Sequence, residues 1–267
     1  MLNTTMYCLC PHNEVLPVIK KLGYVPVGLG NGKFSEEWLK DDTLENISSK
    51  NKYYSEYTFH YWFWKNILPT IEDNNWIGFC AYRQYWSNKK KITQYSKVGD
   101  IVITEIPPEW EKFDVVIGEH FYVNNLKFSK LMKRGLWSLI RNPSALFKSR
   151  RNIRFHFDMW HGNGNLDKAI DLLDNERADF RKYTQKNISF SDGAMFVCRS
   201  KKLLNNYYNS LFPWLERCEK IFGFNLKGYN NRIYAFLAER YQSYWFEKYT
   251  KPLLWPVIFY DIAKTIK

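Results

Sequence analysis

The run Trp76-Ile-Gly-Phe-Cys-Ala-Tyr82 constrains the fold more than any other part of the chain. It carries no charge and no polar alternation, and it is bounded by Glu72-Asp-Asn-Asn75 before it and Arg83-Gln84 after it. A short segment that is apolar at every position is buried on both faces, as in the centre of a parallel sheet covered by helices. Shorter runs of the same kind predict strands at 6–10, 25–29, 100–104, 114–118 and 194–198. Between and after them, length and apolar spacing predict helices over 14–22, 48–66, 166–184, 201–222 and 231–248. Strands alternating with helices imply right-handed crossovers and an α/β fold with a mainly parallel central sheet covered on both faces. With no internal repeat and no linker, residues 1–267 read as one domain.

Hydrophobic residues make up 45% and aromatics 18%, enough apolar surface for a packed globule and too much for a disordered chain. The helix at 48–66 has aromatic residues on nearly every face, so it is expected to be buried. Five cysteines are too few and too scattered for a disulfide framework, and Cys8 and Cys10 read as buried strand residues in a reducing compartment. The first residues lack the basic start and long apolar core of a signal peptide, and no apolar run reaches the ~20 residues of a membrane span.

A net charge of +12 directs attention to phosphate-bearing partners. Residues 120–157 contain no Asp or Glu and nine Lys or Arg, so the rest of the chain carries only +3. The cations are interleaved with Leu, Phe and Trp, which suits an amphipathic segment lying on an anionic membrane, with Lys133, Arg134, Trp137, Arg150 and Arg151 as contacts. The plainer reading is a solvated cationic face packed on the core.

No serine elbow, His-Glu-x-x-His, P-loop, dinucleotide fingerprint or kinase signature is present. Gly28, Gly30 and Gly32 read as a loop after a strand. No Asp-x-Asp occurs, although Mg²⁺ or Mn²⁺ beside a diphosphate wants such hard oxygen ligands; a divalent metal is therefore not assigned. In an open α/β sheet, ligands lie beyond the carboxyl ends of the strands, where Tyr82 and Arg83 fall. Arg83 offers a permanent charge and a fixed fork of donors to a diphosphate, against the alternative of a surface ion pair. Asn46 and Asn51 flank a helix start, as caps or as amides facing a nucleotide. Glu56 and His60 share a helix face, with His60 expected to be structural. Any group transfer to a hydroxyl would need a carboxylate to take the proton. Asp192 in the turn Ser191-Asp-Gly193 ranks first, ahead of Glu239 and Asp114. His161, in a glycine-flanked loop, is a binding candidate.

Several longer motifs carry a family resemblance. The run from Asp41 to Asn51, the run from Tyr54 to Asn66, and Trp76 to Trp86 resemble the core of the bacterial DUF4422 glycosyltransferases. His161-Gly, Ala194-Met-Phe-Val, Leu211-Phe-Pro-Trp-Leu-Glu216 and Arg232 to Arg240 follow in the family's order. The sequence departs from the family pattern at Ala81, Gln84 and Ala194, and 120–157 reads as an enlarged insert. The resemblance implies a GT-A-like fold and a hexosyltransferase that moves a sugar from a nucleotide sugar, with UDP-galactofuranose as the best-known donor, during capsule or O-antigen assembly. The expected donor contacts are Arg83, Tyr82, Asn46, Asn51 and His12, and the expected acceptor contacts are His161, Arg232 and Arg240. The expected partners are a nucleotide sugar, a lipid-linked saccharide and the inner face of the cytoplasmic membrane. A nucleic-acid-binding module, suggested by +12 and many aromatics, is the reading from another class, but the aromatics fall in runs that read as buried. Ala81 and Ala194 suggest a third, a non-catalytic homologue.

Overall fold

The computed structural model describes residues 4–264 except 92, 94 and 95, and leaves out the side chain of residue 134. Its main sheet contains β1 (Thr4–Cys10), β2 (Val25–Gly28), β3 (Leu39–Lys40), β4 (Trp76–Ala81), β5 (Gln84–Trp86), β6 (Val115–Gly118), β9 (Phe196–Cys198), β10 (Leu253–Trp255) and β11 (Val257–Phe259). A separate two-stranded ribbon pairs β7 (His120–Tyr122) with β8 (Ser189–Ser191). The helices are α1 (Leu16–Lys21), α2 (Asn51–Tyr54), α3 (Tyr57–Asn66), α4 (Val98–Ile101), α5 (Phe128–Arg141), α6 (Ile153–His161), α7 (Asn165–Ile170), α8 (Arg177–Lys186), α9 (Lys201–Phe222) and α10 (Ile233–Tyr249). No helix among the described residues is long and apolar enough to cross a membrane.

The sheet runs β10-β6-β9-β4-β1-β2-β3. Along this order the pairs are parallel except where β9 inserts antiparallel between β6 and β4; β5 and β11 extend the sheet off β4 as an antiparallel arm. The expected mainly parallel α/β sheet is therefore present. Continuous apolar strands follow from two covered faces. Tyr7 and Leu9 of β1, with Ile77 and Phe79 of β4, enter the core under α3, α9 and α10. Met6, Cys8, Cys10, Trp76 and Cys80, one residue out of phase, enter a second core with Trp86, Trp110 and Trp255. All five cysteines are free and buried. The aromatic side chains of α3 and α10 are mostly buried as well.

Several expected elements differ. The helix over 48–66 breaks at Ser55, whose φ of 52° and ψ of −133° end α2 before α3 begins. The Asn51 Nδ2 amide donates to the Ser55 carbonyl and to Thr58 Oγ1, side-chain bonds that compete with helical ones. The strand expected at 100–104 is instead α4 followed by an isolated bridge, because Asp100 accepts from the Lys97 amide and closes a helical turn. The helix expected over 166–184 is interrupted between α7 and α8. The acid-free stretch folds as β7, α5 and the start of α6 with short turns between, around a small core of Leu131, Leu139, Ala145, Phe155 and Met159.

Candidate functional site

The carboxyl ends of β1 and β4 open into a cleft of about 680 Å³, closed on the far side by α6 and the start of α10. Arg83, Asp192, His161, Arg232, Glu239 and Arg240, six residues spread over the sequence, all line it. Glu56, Gln84, His156, Trp160 and Tyr229 line it as well.

At the sheet end, His12, Tyr82 and Arg83 lie together beyond β1 and β4, the His12 ring edge-on to that of Tyr82. The His12 and Tyr82 rings lie 4.9 Å apart, and the Arg83 guanidinium lies 4.6 Å from the Tyr82 ring centre. Arg83 is exposed and, among the described residues, pairs with no carboxylate. Its charge is thus available to an anion, unlike that of a surface ion pair.

The Asp192–Met195 turn is held from beneath by buried polar groups. The Gln242 amide donates to the carbonyls of Gly193 and Met195 at 3.2 and 3.1 Å and accepts from the Tyr57 hydroxyl. Ser243 Oγ accepts from the Ser191 amide, and Ser191 Oγ donates to the Gly118 carbonyl. Gly193 takes a φ of 86°, and a Cβ there would approach Gln84 Oε1 at 3.3 Å, so the turn favours glycine. His60 is buried with the role expected of it. Its Nε2 donates to the Ala194 carbonyl and its Nδ1 accepts from Tyr208, a neutral tautomer consistent with burial lowering its pKa to about 4. Asp192 thus sits, exposed, on a rigid support.

Across the cleft, Arg240 Nη1 donates to Glu239 Oε2 at 2.7 Å, while its buried Nε has no hydrogen-bond partner and its guanidinium lies 4.4 Å from the Phe190 ring centre. Burial first, then the charge of Asp192, push Glu239 up to about 8, against the opposing effect of Arg240. Burial and Arg240 also drive His161 down to about 2 and His156 to about 3, so both imidazoles are neutral near pH 7. His161 is the last residue of α6 rather than part of a loop, and its ring stacks on Phe236 at 3.9 Å. Arg232 Nη2 donates to Ser55 Oγ and lies 3.4 Å from Glu56 Oε2. The strained Ser55 therefore places both partners of that ion pair at the cleft wall.

Other candidates lie elsewhere. Asp114 precedes β6, at the end opposite the cleft, and its carboxylate pairs with Arg199 Nε at 3.1 Å. Strand direction separates it from Asp192 and Glu239. Asn46 accepts from the amide and hydroxyl of Ser48 and donates to the Leu44 carbonyl, and Asn51 holds the Ser55 kink. Both amides are used locally, as caps would be. The glycine loop is filled by the protein itself, since a Cβ on Gly30 would strike Asn51 and the Gly30 amide donates to buried Asp41. Arg151 is also turned inward, its guanidinium donating to the carbonyls of Ala145, Leu126 and Leu146. Three carbonyls consume the donors expected to face lipid. Arg134 lies in α5, its side chain outside the described residues.

Sequence reasoning did not single out Gln242 or Ser243, which sit in an apolar helix and gain meaning only from the turn above them. Tyr229 and His156 had no local signal either. Among the described residues, no group of three or more His, Cys, Asp or Glu is placed to hold a metal ion.

The fold is similar to that of a solved structure described as the apo form of the bifunctional glycosyltransferase WbbM. The TM-score is 0.60 at 19% identity, over 96% of this chain and 45% of that one. At that identity the likeness shows a shared fold, and this chain spans less than half of the other. No curated protein matches the sequence. Residues 6–251, which include every element lining the cleft, match the family described as "Domain of unknown function (DUF4422)", and the chain belongs to that family.

Proposed function

We propose that the cleft transfers a sugar from a nucleotide sugar to a hydroxyl of a saccharide acceptor. The observation that carries this reading is the convergence of an unpaired Arg83 at the strand ends with the Asp192 and Glu239 carboxylates, on a fold shared with a glycosyltransferase. Arg83, with Tyr82 and His12, binds the donor diphosphate and supports the charge that develops on the leaving nucleoside diphosphate. Asp192 takes the proton from the acceptor hydroxyl as that oxygen bonds to the donor's anomeric carbon and the bond from that carbon to the diphosphate breaks. Glu239, pushed up to about 8, keeps its proton near neutrality and so does not serve as the base, which leaves that role to Asp192. His161, neutral, with Arg232 and Arg240, orients the acceptor.

The family resemblance supports UDP-galactofuranose as donor and a lipid-linked or growing capsule or O-antigen chain as acceptor, with the enzyme peripheral on the inner face of the cytoplasmic membrane. A panel of nucleotide sugars incubated with the purified protein, with and without EDTA, tests this. Nucleoside diphosphates are expected to raise the melting temperature, because a ligand bound only by the native state stabilises it. Stabilisation by single-stranded RNA without any by nucleoside diphosphates refutes the reading.

A further inference from the structure

We propose that the outward face of α5, with the turn after it, is a docking surface for an anionic lipid bilayer. The helix has two apolar stripes. One satisfies the fold: Leu131 and Leu139 pack on Phe155 and Met159 of α6, and Gly135 permits the close approach, since a Cβ there would meet Met159 Sδ at 3.0 Å. The other faces outward. Phe128, Met132, Leu136 and Ile140 follow one another at four-residue spacing, Trp137 beside them is 72% exposed, and Phe147 in the next turn is 71% exposed. A helix that meets only water carries polar side chains on that side.

Charge identifies the occupant. Lys127, Lys130, Lys133, Arg141, Lys148 and Arg150 surround the exposed stripe, and no acidic residue occurs anywhere in 120–157. An anionic bilayer satisfies both halves of this surface, taking Trp and Phe side chains to the acyl boundary while lysines and arginines stay among the phosphates. Nucleic acid would engage the cations and leave Trp137 and Phe147 in water. A second copy of the chain would set like charges against one another. The surface cations are the ones that matter, because Arg151 is held by backbone carbonyls and Arg154 is paired with Asp167.

The placement bears on the cleft. Phe155 and Met159 of α6 face α5, whereas His156, Trp160 and His161 of the same helix line the cleft. A protein resting on α5 therefore holds that cleft wall about one helix diameter, ~10 Å, from the lipid. The inference does not rest on the transfer reading, and its test needs no substrate.

Sedimentation with vesicles of phosphatidylcholine containing a quarter phosphatidylglycerol measures it. Binding at least roughly tenfold tighter than to pure phosphatidylcholine is expected, weakening as salt rises from about 0.05 M to about 0.5 M. Neutralising three cations together (Lys130→Gln, Lys133→Gln, Arg150→Gln) is expected to weaken it roughly 100-fold. Trp137→Ser with Phe147→Ser should also release the protein, with an unchanged circular dichroism spectrum because both side chains are exposed. No sedimentation with either vesicle, or equal binding to both, overturns the proposal. So does a dimer, seen by light scattering without lipid, that Trp137→Ser dissolves.

Discussion

Replacing Glu239 by Gln isolates the electrostatics of the cleft without any knowledge of the substrate. Burial, and then the neighbouring Asp192 carboxylate, raise Glu239 from 4.5 to about 8. Between those values the folded chain holds a proton that the unfolded chain releases, so stability is complete below pH 4.5 and falls as pH climbs towards 8. Each pH unit inside this window costs up to ~1.4 kcal/mol. From pH 5.5 to 7.5 the loss is on the order of 2 kcal/mol, or roughly 4–8 °C in melting temperature for a chain of this size. Gln has nearly the same shape and does not titrate, so this loss disappears in Glu239→Gln. The difference between the two proteins' melting temperatures, followed by circular dichroism from pH 5 to 9, removes the contribution of every other group. Asp192→Asn should shift the steep part of the difference curve to lower pH, because it removes the like charge. Parallel curves for wild type and Glu239→Gln across this range would refute the description of Glu239 as a buried carboxyl that stays protonated near neutrality, and with it the division of roles between Glu239 and Asp192.

Arg83→Ala should abolish sugar transfer while leaving the melting temperature within about 2 °C, since exposed side chains outside packed networks contribute little stability; full activity in the variant would end the assignment. Gln242→Leu leaves the Gly193 and Met195 carbonyls and the Tyr57 hydroxyl without their partner inside the protein. Urea denaturation should show a loss of about 2–3 kcal/mol, with a fall in transfer rate as the Asp192 turn loosens. Burial lowers His156 to about 3 and His161 to about 2, so the stability these two imidazoles contribute is intact above pH 6.5 and drains away as pH falls below it. Replacing His161 by Phe should flatten that acid limb in a pH-dependent melting series, and an unchanged limb would contradict a neutral, buried imidazole.

The central strands were legible because burial on both sheet faces leaves a run with no polar alternation, a one-dimensional pattern that needs no partner to be recognised. The same holds for α9 and α10, whose length and apolar density announce buried helices. Arg83 comes just after β4, where ligands of an α/β sheet are expected, whereas Asp192 drew attention through the turn Ser191-Asp-Gly193 ahead of the strand expected at 194–198; the fold places both on the cleft.

Residues whose roles depend on a distant partner were not legible. Asp114 has the same local setting as Asp192, an acid beside a strand, and only strand direction sends one to Arg199 and the other to the cleft. Asn51 and Ser55 interrupt what otherwise reads as one helix because side-chain hydrogen bonds there outcompete the helical ladder. Arg151 looks no different from its basic neighbours until the turn around Ala145 and Leu146 closes on it. Gln242 and Ser243 acquire their function from backbone groups some fifty residues earlier in the chain. By itself the sequence determined the alternation of elements, the covered sheet and the acid-free segment, because periodicity and charge are properties of neighbours along the chain. The tertiary structure decided which carboxylates meet, which cations remain free and which imidazoles stay neutral, because charge and hydrogen-bond complementarity depend on distance in space.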